Sequence, residues 1–399
     1  MDWSESTSYL KGIYNKLSIL RDPIRIAAFD LDDTLIYRPT IPGKWKLIDP
    51  LIVPKIQSLV KNNYIIIIFT NQAGMNLSKS IDKPMWRNSV YKLFLELFDE
   101  PLKSKIQFYF AIYVAKMYDI HRKPNLGMWE IMKADLKDTF ELDKIRISKS
   151  SFYCGDAAGR IKSSTFKKKM YSSSLKGDFS DTDRKFAMNI GINFITPEEL
   201  LLGEDTAEYQ LKGMNPQKYL ESVEHQTNQC AFIPRKKEMI IMIGLQGSGK
   251  SYFVKKCILP HGYVYINHDT CNNKKKCMAM AKDAVEKKKS LVIDNTNPDI
   301  TSRYPYISLA RDHNYTHIRA ITMNTDDIVS SHLNNVRHIY SGGTVPKINK
   351  IAYNIFRKNY VRPDKSEHFD KIESVDFVFD KSQLDDPLWK KIFMKWSES

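Results

Sequence analysis

The sequence predicts an α/β protein of two domains, each a parallel sheet covered by crossover helices. Three observations carry that expectation. Apolar runs of strand length end repeatedly in polar or acidic clusters: 24–29 into Asp30, 64–69 into Thr70 and Asn71, 151–154 into Gly155 and Asp156. Helical patterns at 84–98 and 127–136 separate these runs, and strands alternating with helices build βαβ units. The same order restarts beyond a weakly patterned stretch, where 239–243, 263–266 and 291–293 each enter a polar turn. At 399 residues the chain is long enough for two cores.

Taken in order, residues 5–20 alternate apolar and polar side chains at helical spacing, which predicts a helical segment over 1–20 that Arg21, Asp22 and Pro23 end. The first domain is expected over 21–228, with a further strand at 108–115. Gly203, Gly213, Asn215, Pro216 and a polar run at 221–229 mark a linker within 201–234. The second domain follows over 229–399, where 251–258 suits a helix and 318–323 and 375–379 should add strands.

The formal charge of +15 and a pI near 9.3 favour a polyanionic partner, because a basic surface gathers phosphates. Lysine and arginine cluster at 167–169, 235–237, 274–276 and 287–289, although a single such run is more often a solvated face. The five cysteines form no C-x-x-C pair and no zinc spacing, which argues against a metal knuckle and a disulfide framework and suits a reducing compartment. The longest apolar runs have strand length, and residues 1–6 show no signal-peptide core, so an intracellular protein without membrane spans is expected.

The run 239–253 reads as a buried strand, a glycine-rich loop and a helix. Gly244, Gly247, Ser248 and Gly249 would offer backbone N–H groups to a polyphosphate, Lys250 would reach the terminal phosphates, and Ser251 would hold Mg²⁺. A nucleoside triphosphate such as ATP is the implied cofactor. Transfer to an alcohol needs a base near the acceptor, and Asp269, after the second strand of this half, is the candidate. Asp294, at the end of the next strand, is placed to support the metal; as an ordinary residue it would be a helix N-cap. Arg337 sits at helical spacing on a candidate lid, with Arg357 a weaker candidate for the same nucleotide.

In the first half, Asp30 and Asp32 lie two apart at a strand end and share a side of the pleat. One carboxylate of such a pair can attack phosphorus while the other protonates the leaving oxygen and later activates water. The pair and Asp156 together supply oxygen ligands for Mg²⁺, Thr70 can hydrogen-bond the phosphoryl group, and Lys123 can neutralise it.

Asp30, Asp32 and Thr34 match the Asp-x-Asp-x-Thr signature of the haloacid-dehalogenase superfamily, which the first half resembles. With 30–35, the run 68–74, Arg122, Lys123 and Pro124 with 127–129, the run 155–160, and Asp178, Phe179 and Ser180 followed by Asp183, Arg184, Phe186 and Ala187, the resemblance narrows to the polynucleotide kinase 3′-phosphatase family. The second half is similar to the kinase part of that family over 244–251, 263–267 with Asp269 and Thr270, 294–299 with Ser302 and Arg303, and 332–337. The resemblance implies a haloacid-dehalogenase-like domain followed by a P-loop kinase, without the forkhead-associated domain of the animal enzymes. It implies Asp30 as nucleophile, Asp32 as acid and base, Asp156 as a Mg²⁺ ligand, and a monomer acting on DNA with 3′-phosphate or 5′-hydroxyl ends. Repair would put it in the nucleus. Three positions depart from the family: Asp33 stands where glycine is usual, and His268 and Asn335 stand where arginine is usual.

Two alternatives stay open at this point. RNA end healing with a cyclic phosphodiesterase would use two His-x-Thr elements, spelled by His225 with Thr227 and His268 with Thr270. A nucleic-acid-binding module that has lost catalysis is the other, against which the retained Asp30, Asp32, Asp156, Lys250, Ser251 and Asp269 argue.

Overall fold

Isoleucine-rich runs become central strands because β-branched side chains suit a pleated surface buried on both faces. The computed structural model describes residues 1–37, 45–77, 82–98, 106–162, 177–224, 232–271 and 273–398, with the side chains of 76, 77, 269 and 270 outside that description. Two units divide the chain: Met1–Gly213 with Lys395–Ser399, and Met214–Met394. The division falls inside the 201–234 stretch, ahead of the 228/229 boundary expected from composition, since the helix Pro216–Ser222 belongs to the second unit.

In the first unit the elements are β1 (Asp2–Glu5), β2 (Tyr9–Asn15), β3 (Arg25–Phe29), α1 (Ile52–Lys61), β4 (Tyr64–Asn71), α2 (Lys83–Leu97), β5 (Tyr109–Ala115), α3 (Gly127–Thr139), β6 (Phe152–Cys154), α4 (Thr182–Ile190) and β7 (Asn193–Ile195). Sheet order is β1-β2-β5-β4-β3-β6-β7, parallel from β5 to β7. Alternation along β3 sends Ala27 and Phe29 to a core shared with α1 and α2, and Ile26 and Ala28 to a core shared with α3 and α4. The chain leaves β3 for β4 on one side and returns to β6 on the other. The end of β3 is therefore a topological switch point, where a crevice opens above the strand ends.

The helical segment expected over 1–20 is instead a hairpin. β2 pairs antiparallel with β5 from Tyr9↔Ala115 to Asn15↔Tyr109, and β1 closes the edge. Sheet pairing outweighs the helical pattern: Leu10 and Gly12 face inward, and a side chain on Gly12 would meet the Trp3 ring at 2.9 Å. Glu5 pins the hairpin by accepting from Lys116 at 2.6 Å, Arg87 at 2.7 Å and Lys83 at 2.8 Å.

The second unit contains β8 (Glu238–Ile243), α5 (Lys250–Phe253), β9 (Val264–Asn267), α6 (Lys274–Glu286), β10 (Leu291–Asp294), α7 (Ile300–Asp312), β11 (His317–Asn324), α8 (Asp327–Tyr340), α9 (Lys350–Asn359), β12 (Lys371–Asp376) and α10 (Pro387–Phe393). Its sheet, β12-β11-β8-β10-β9, is parallel throughout. Met239, Ile241 and Ile243 pack with α6 and α7, while Ile240 and Met242 meet Val254 and Ile258. The helix behind the glycine-rich loop is α-helical only over α5 and continues as a π-helical turn, Val254–Ile258. The last strand lies earlier than 375–379 because Phe379 leaves the sheet to pack on Trp389 and Phe393. Cys154, Cys271 and Cys277 are free and buried, whereas Cys257 is disulfide-bonded, a cross-link that the cysteine spacing did not predict. Among the described residues no helix is long and apolar enough to cross a membrane.

Candidate active sites

The parallel strands β3, β4 and β6 bring the first site together at their C-terminal ends. Asp30 follows β3, and its Oδ1 accepts from Lys123 Nζ at 2.7 Å. The same ammonium donates to Asp183 Oδ1 at 2.7 Å and to the Tyr153 hydroxyl at 2.8 Å. Asn71, at the end of β4, holds the Lys123 backbone through N–H to Oδ1 at 2.9 Å. Thr34 Oγ1 accepts the Asp156 N–H at 3.1 Å, which ties the turn after β6 to the turn after β3.

Burial above all pushes the Asp30 carboxyl well above the usual carboxylate range; Lys123 pulls it down, and Asp183, Asp156 and Asp32 push it further up. Burial works against the Lys123 ammonium, but Asp183 and Asp30 outweigh it and raise its pKa. Carboxylate oxygens of Asp30, Asp156 and Asp183 lie within 4.8 Å of one another. Three clustered carboxylates against one lysine leave negative charge that a hard divalent cation suits, so these residues fit Mg²⁺.

Asp32 is not part of that cluster. Gln72 Nε2 donates to its Oδ2 at 2.7 Å and to Thr70 Oγ1 at 3.1 Å, which turns Asp32 toward a cavity of about 460 Å³ lined also by Trp45, Trp86, Tyr118 and Arg122. Asp33 has φ of 57°, a left-handed conformation that aspartate tolerates better than most side chains, and this accounts for glycine being usual there. Sequence reasoning gave no role to Asp183 or Gln72, which entered only as residues of the family resemblance, and did not single out Tyr153. Asp183 sits in the first turn of α4, where an acidic residue is ordinary; the available signal was a short helix whose polar residues Asp183, Arg184, Lys185 and Asn189 are all buried.

The second site surrounds the loop between β8 and α5. Gly247 has φ of 78°, and a Cβ there would lie 2.6 Å from the Ser330 carbonyl oxygen, so the loop needs glycine at that point. Lys250 Nζ donates to the Gly244 carbonyl at 2.9 Å. Two cavities flank the loop, and Gly247, Lys250, Ser251 and Arg337 line both. One, of about 520 Å³, carries Tyr252, Tyr340, Phe377 and Trp389; the other, of about 660 Å³, carries Asn267, His268, Lys274, Asp294 and Asn295.

Asp294 is 2 % exposed; its Oδ2 accepts from Tyr265 at 2.8 Å and Asn267 at 3.2 Å, while Oδ1 has no hydrogen-bond partner among the described residues. An unsatisfied buried carboxylate oxygen beside Ser251 in one cavity fits a metal ion. Asp269 lies on the single helical turn His268–Cys271, with its side chain outside the described residues; Ser248 is buried beneath the loop. Arg357 is not among the residues lining either cavity: it pairs with Asp327, Nε to Oδ2 at 2.6 Å, on an exposed face. The His268 N–H donates to Asn295 Oδ1 at 2.8 Å, and Asn335 is buried in α8. His225, Thr227 and the basic run 167–169 lie outside the described residues.

Fold and sites define the class: a haloacid-dehalogenase-like phosphatase domain joined to a P-loop kinase domain. Residues 25–201 match the polynucleotide kinase 3 phosphatase family and residues 239–346 an AAA domain family. A protein of Acanthamoeba polyphaga mimivirus named as a bifunctional polynucleotide phosphatase/kinase is 58% identical over 404 residues, covering 100% of this chain and 95% of that protein. The bifunctional polynucleotide phosphatase/kinase of Schizosaccharomyces pombe is 32% identical over 387 residues, covering 94% of this chain and 85% of that protein. A polynucleotide 3′-phosphatase of Arabidopsis thaliana is 34% identical over 197 residues, 47% of this chain and 25% of that protein. This chain belongs to the bifunctional polynucleotide phosphatase/kinase family.

Proposed function

We propose that the chain heals nucleic-acid ends, hydrolysing 3′-phosphates and phosphorylating 5′-hydroxyls of DNA with ATP so that broken strands become ligatable. The observation that carries this reading is the presence, in one chain, of the Asp30–Lys123–Asp183 cluster and of a phosphate loop with a cavity on each side.

In the phosphatase, Asp30 attacks phosphorus and the bond to the 3′ oxygen breaks, leaving an aspartyl-phosphate. Asp32, oriented by Gln72, gives its proton to the leaving oxygen and then takes one from the water that hydrolyses the phosphoenzyme. Lys123 and Thr70 stabilise the transferring group. In the kinase, Asp269 takes the proton of the 5′-hydroxyl while Lys250 and Arg337 offset the charge on the γ-phosphoryl group. The aromatic cavity receives the nucleobase of ATP, and the cavity with His268 and Lys274 receives the acceptor end. Mg²⁺ would supply positive charge opposite the phosphoryl oxygens, held by Asp30, Asp156 and Asp183 in one site and by Ser251 and Asp294 in the other. The net charge of +15 supports a polyanionic substrate. The chain acts as a monomer, and a repair role puts it in the compartment that holds DNA.

The test is a set of end-labelled DNA and RNA strands carrying 3′-phosphate or 5′-hydroxyl termini. Both activities are expected on DNA, with Asp30→Ala losing only the phosphatase and Lys250→Ala only the kinase. A folded single variant that loses both would contradict two separate sites, and a preference for RNA or a 2′,3′-cyclic phosphate would move the reading to RNA healing.

A further inference from the structure

Residues 395–398 follow α10 of the second unit yet belong to the first, where they meet the two elements that deliver Lys123 and Asp183. Asn189, on α4, is 2 % exposed and makes three side-chain hydrogen bonds there. Its amide nitrogen donates to the Pro124 carbonyl at 2.9 Å and to the Trp396 carbonyl at 2.8 Å, and its Oδ1 accepts the Trp396 N–H at 2.8 Å. Lys395 Nζ donates to the Asn189 carbonyl at 2.6 Å, and the fully buried Lys185 donates to the Ser397 carbonyl at 3.1 Å. Glu398 accepts from Arg122 Nε at 3.1 Å. Five contacts thus bind one short segment to α4 and to the 122–124 turn.

Those two elements meet through the 2.7 Å bond between Lys123 and Asp183. Asn71 holds the 122–124 turn from the β4 side, and Asn189 holds it from the α4 side. We infer that residues 395–398 are a positioning strap for the phosphatase site, clamping α4 to the Lys123 turn so that Asp183, Lys123 and Asp30 keep their spacing. The inference rests on the 3′-phosphatase reading of that site. It makes the phosphatase dependent on residues that lie beyond the whole kinase sequence. Because the five contacts above are with Asn189, Lys185 and Arg122 and not with Asp30, Lys123 or Asp183, loss of the strap should disturb the rate of the chemical step rather than substrate capture; small misplacements of catalytic groups cost on the order of 10–100-fold.

The experiment compares the intact chain with one ending at Met394 and with Glu398→Ala and Glu398→Gln, assaying 3′-phosphatase and 5′-kinase at 10 °C with circular dichroism on each sample. The expected result is a fall of about tenfold or more in phosphatase kcat on truncation, with KM and kinase rate within about twofold. Glu398→Ala should show a smaller loss that Glu398→Gln, which keeps an acceptor for Arg122, largely recovers. An unchanged phosphatase kcat in the truncated chain overturns the strap. So does a loss that is present only where circular dichroism shows unfolding, which would make the segment a matter of stability alone. An intact chain with no phosphatase activity overturns the underlying reading and the strap with it, whereas an active intact chain with an equally active truncation overturns the strap only.

Discussion

Asp183→Asn is the perturbation that probes the first site most sharply. The side chain is 1 % exposed and accepts from Lys123 at 2.7 Å, from the Ala157 N–H at 3.0 Å and from the Tyr153 hydroxyl at 3.2 Å. Asparagine has the same shape, but its amide group must face either Lys123 or the Ala157 N–H, both donors, so one bond is lost along with the charge. Breaking a buried ion pair costs about 3–5 kcal/mol when the partner is stranded. Lys123 keeps Asp30, so about 2–3 kcal/mol of unfolding free energy is the expectation here. Catalysis should suffer through the metal. Even groups that only orient a ligand are worth about 10–100-fold in affinity, and Asp183 is one of three clustered carboxylates. The Mg²⁺ concentration for half-maximal 3′-phosphatase should rise about 100-fold, corresponding to about 2.7 kcal/mol. Titrating Mg²⁺ against phosphate release from a 3′-phosphorylated oligonucleotide measures this. An unchanged half-saturation in a folded variant would refute the placing of Asp183 on the metal.

Glu5 is held down to about 2, first by its hydrogen bond to Lys116 and then by Lys83. A depressed carboxylate stabilises the fold above its ordinary pKa and loses that contribution as pH falls from about 4.5 through about 2. The full shift would correspond to about 3 kcal/mol, which solvent screening at this exposed residue reduces to about 1 kcal/mol. Glu5→Gln should therefore melt earlier than the unmodified chain at pH 7 and with it at pH 2, as calorimetry would show. Gly247→Ala should lower kinase activity by about 100-fold or more while sparing the phosphatase, since the strain falls on the loop alone; equal activities in radiolabel transfer would count against the loop geometry. Arg337→Ala, which removes one of the two cations common to both flanking cavities, should reduce kinase kcat about 100–1,000-fold with little change in ATP affinity by calorimetric titration.

Much of the architecture was legible because buried parallel strands leave a local mark. The run 64–69 is apolar on both faces, and the polar residues that follow it sit where an α/β sheet presents its ligands. Asp30, Asp156, Lys250 and Asp294 could be read for that reason. The hairpin at the start of the chain could not, because its stability comes from pairing with β5, whose residues lie about a hundred positions away along the sequence. Asp183 could be matched to the family but given no role, because it looks like a helix-start acid; only the fold brings it to Lys123. Arg357 fails the other way: it was a weaker candidate for the nucleotide, but Asp327 sits within reach and pairs with it. The strap at 395–398 leaves no local signal at all, since its partners are on α4 and the 122–124 turn.

The most direct test of two independent end-healing sites is complementation at a nick. A duplex with a 3′-phosphate facing a 5′-hydroxyl is incubated with ATP, Mg²⁺ and a DNA ligase together with Asp30→Ala, Lys250→Ala, or an equal mixture of the two. Sealing is predicted for the unmodified chain and for the mixture, and for neither variant alone. Failure of the mixture to seal, with each variant folded and retaining its remaining activity, would contradict the account.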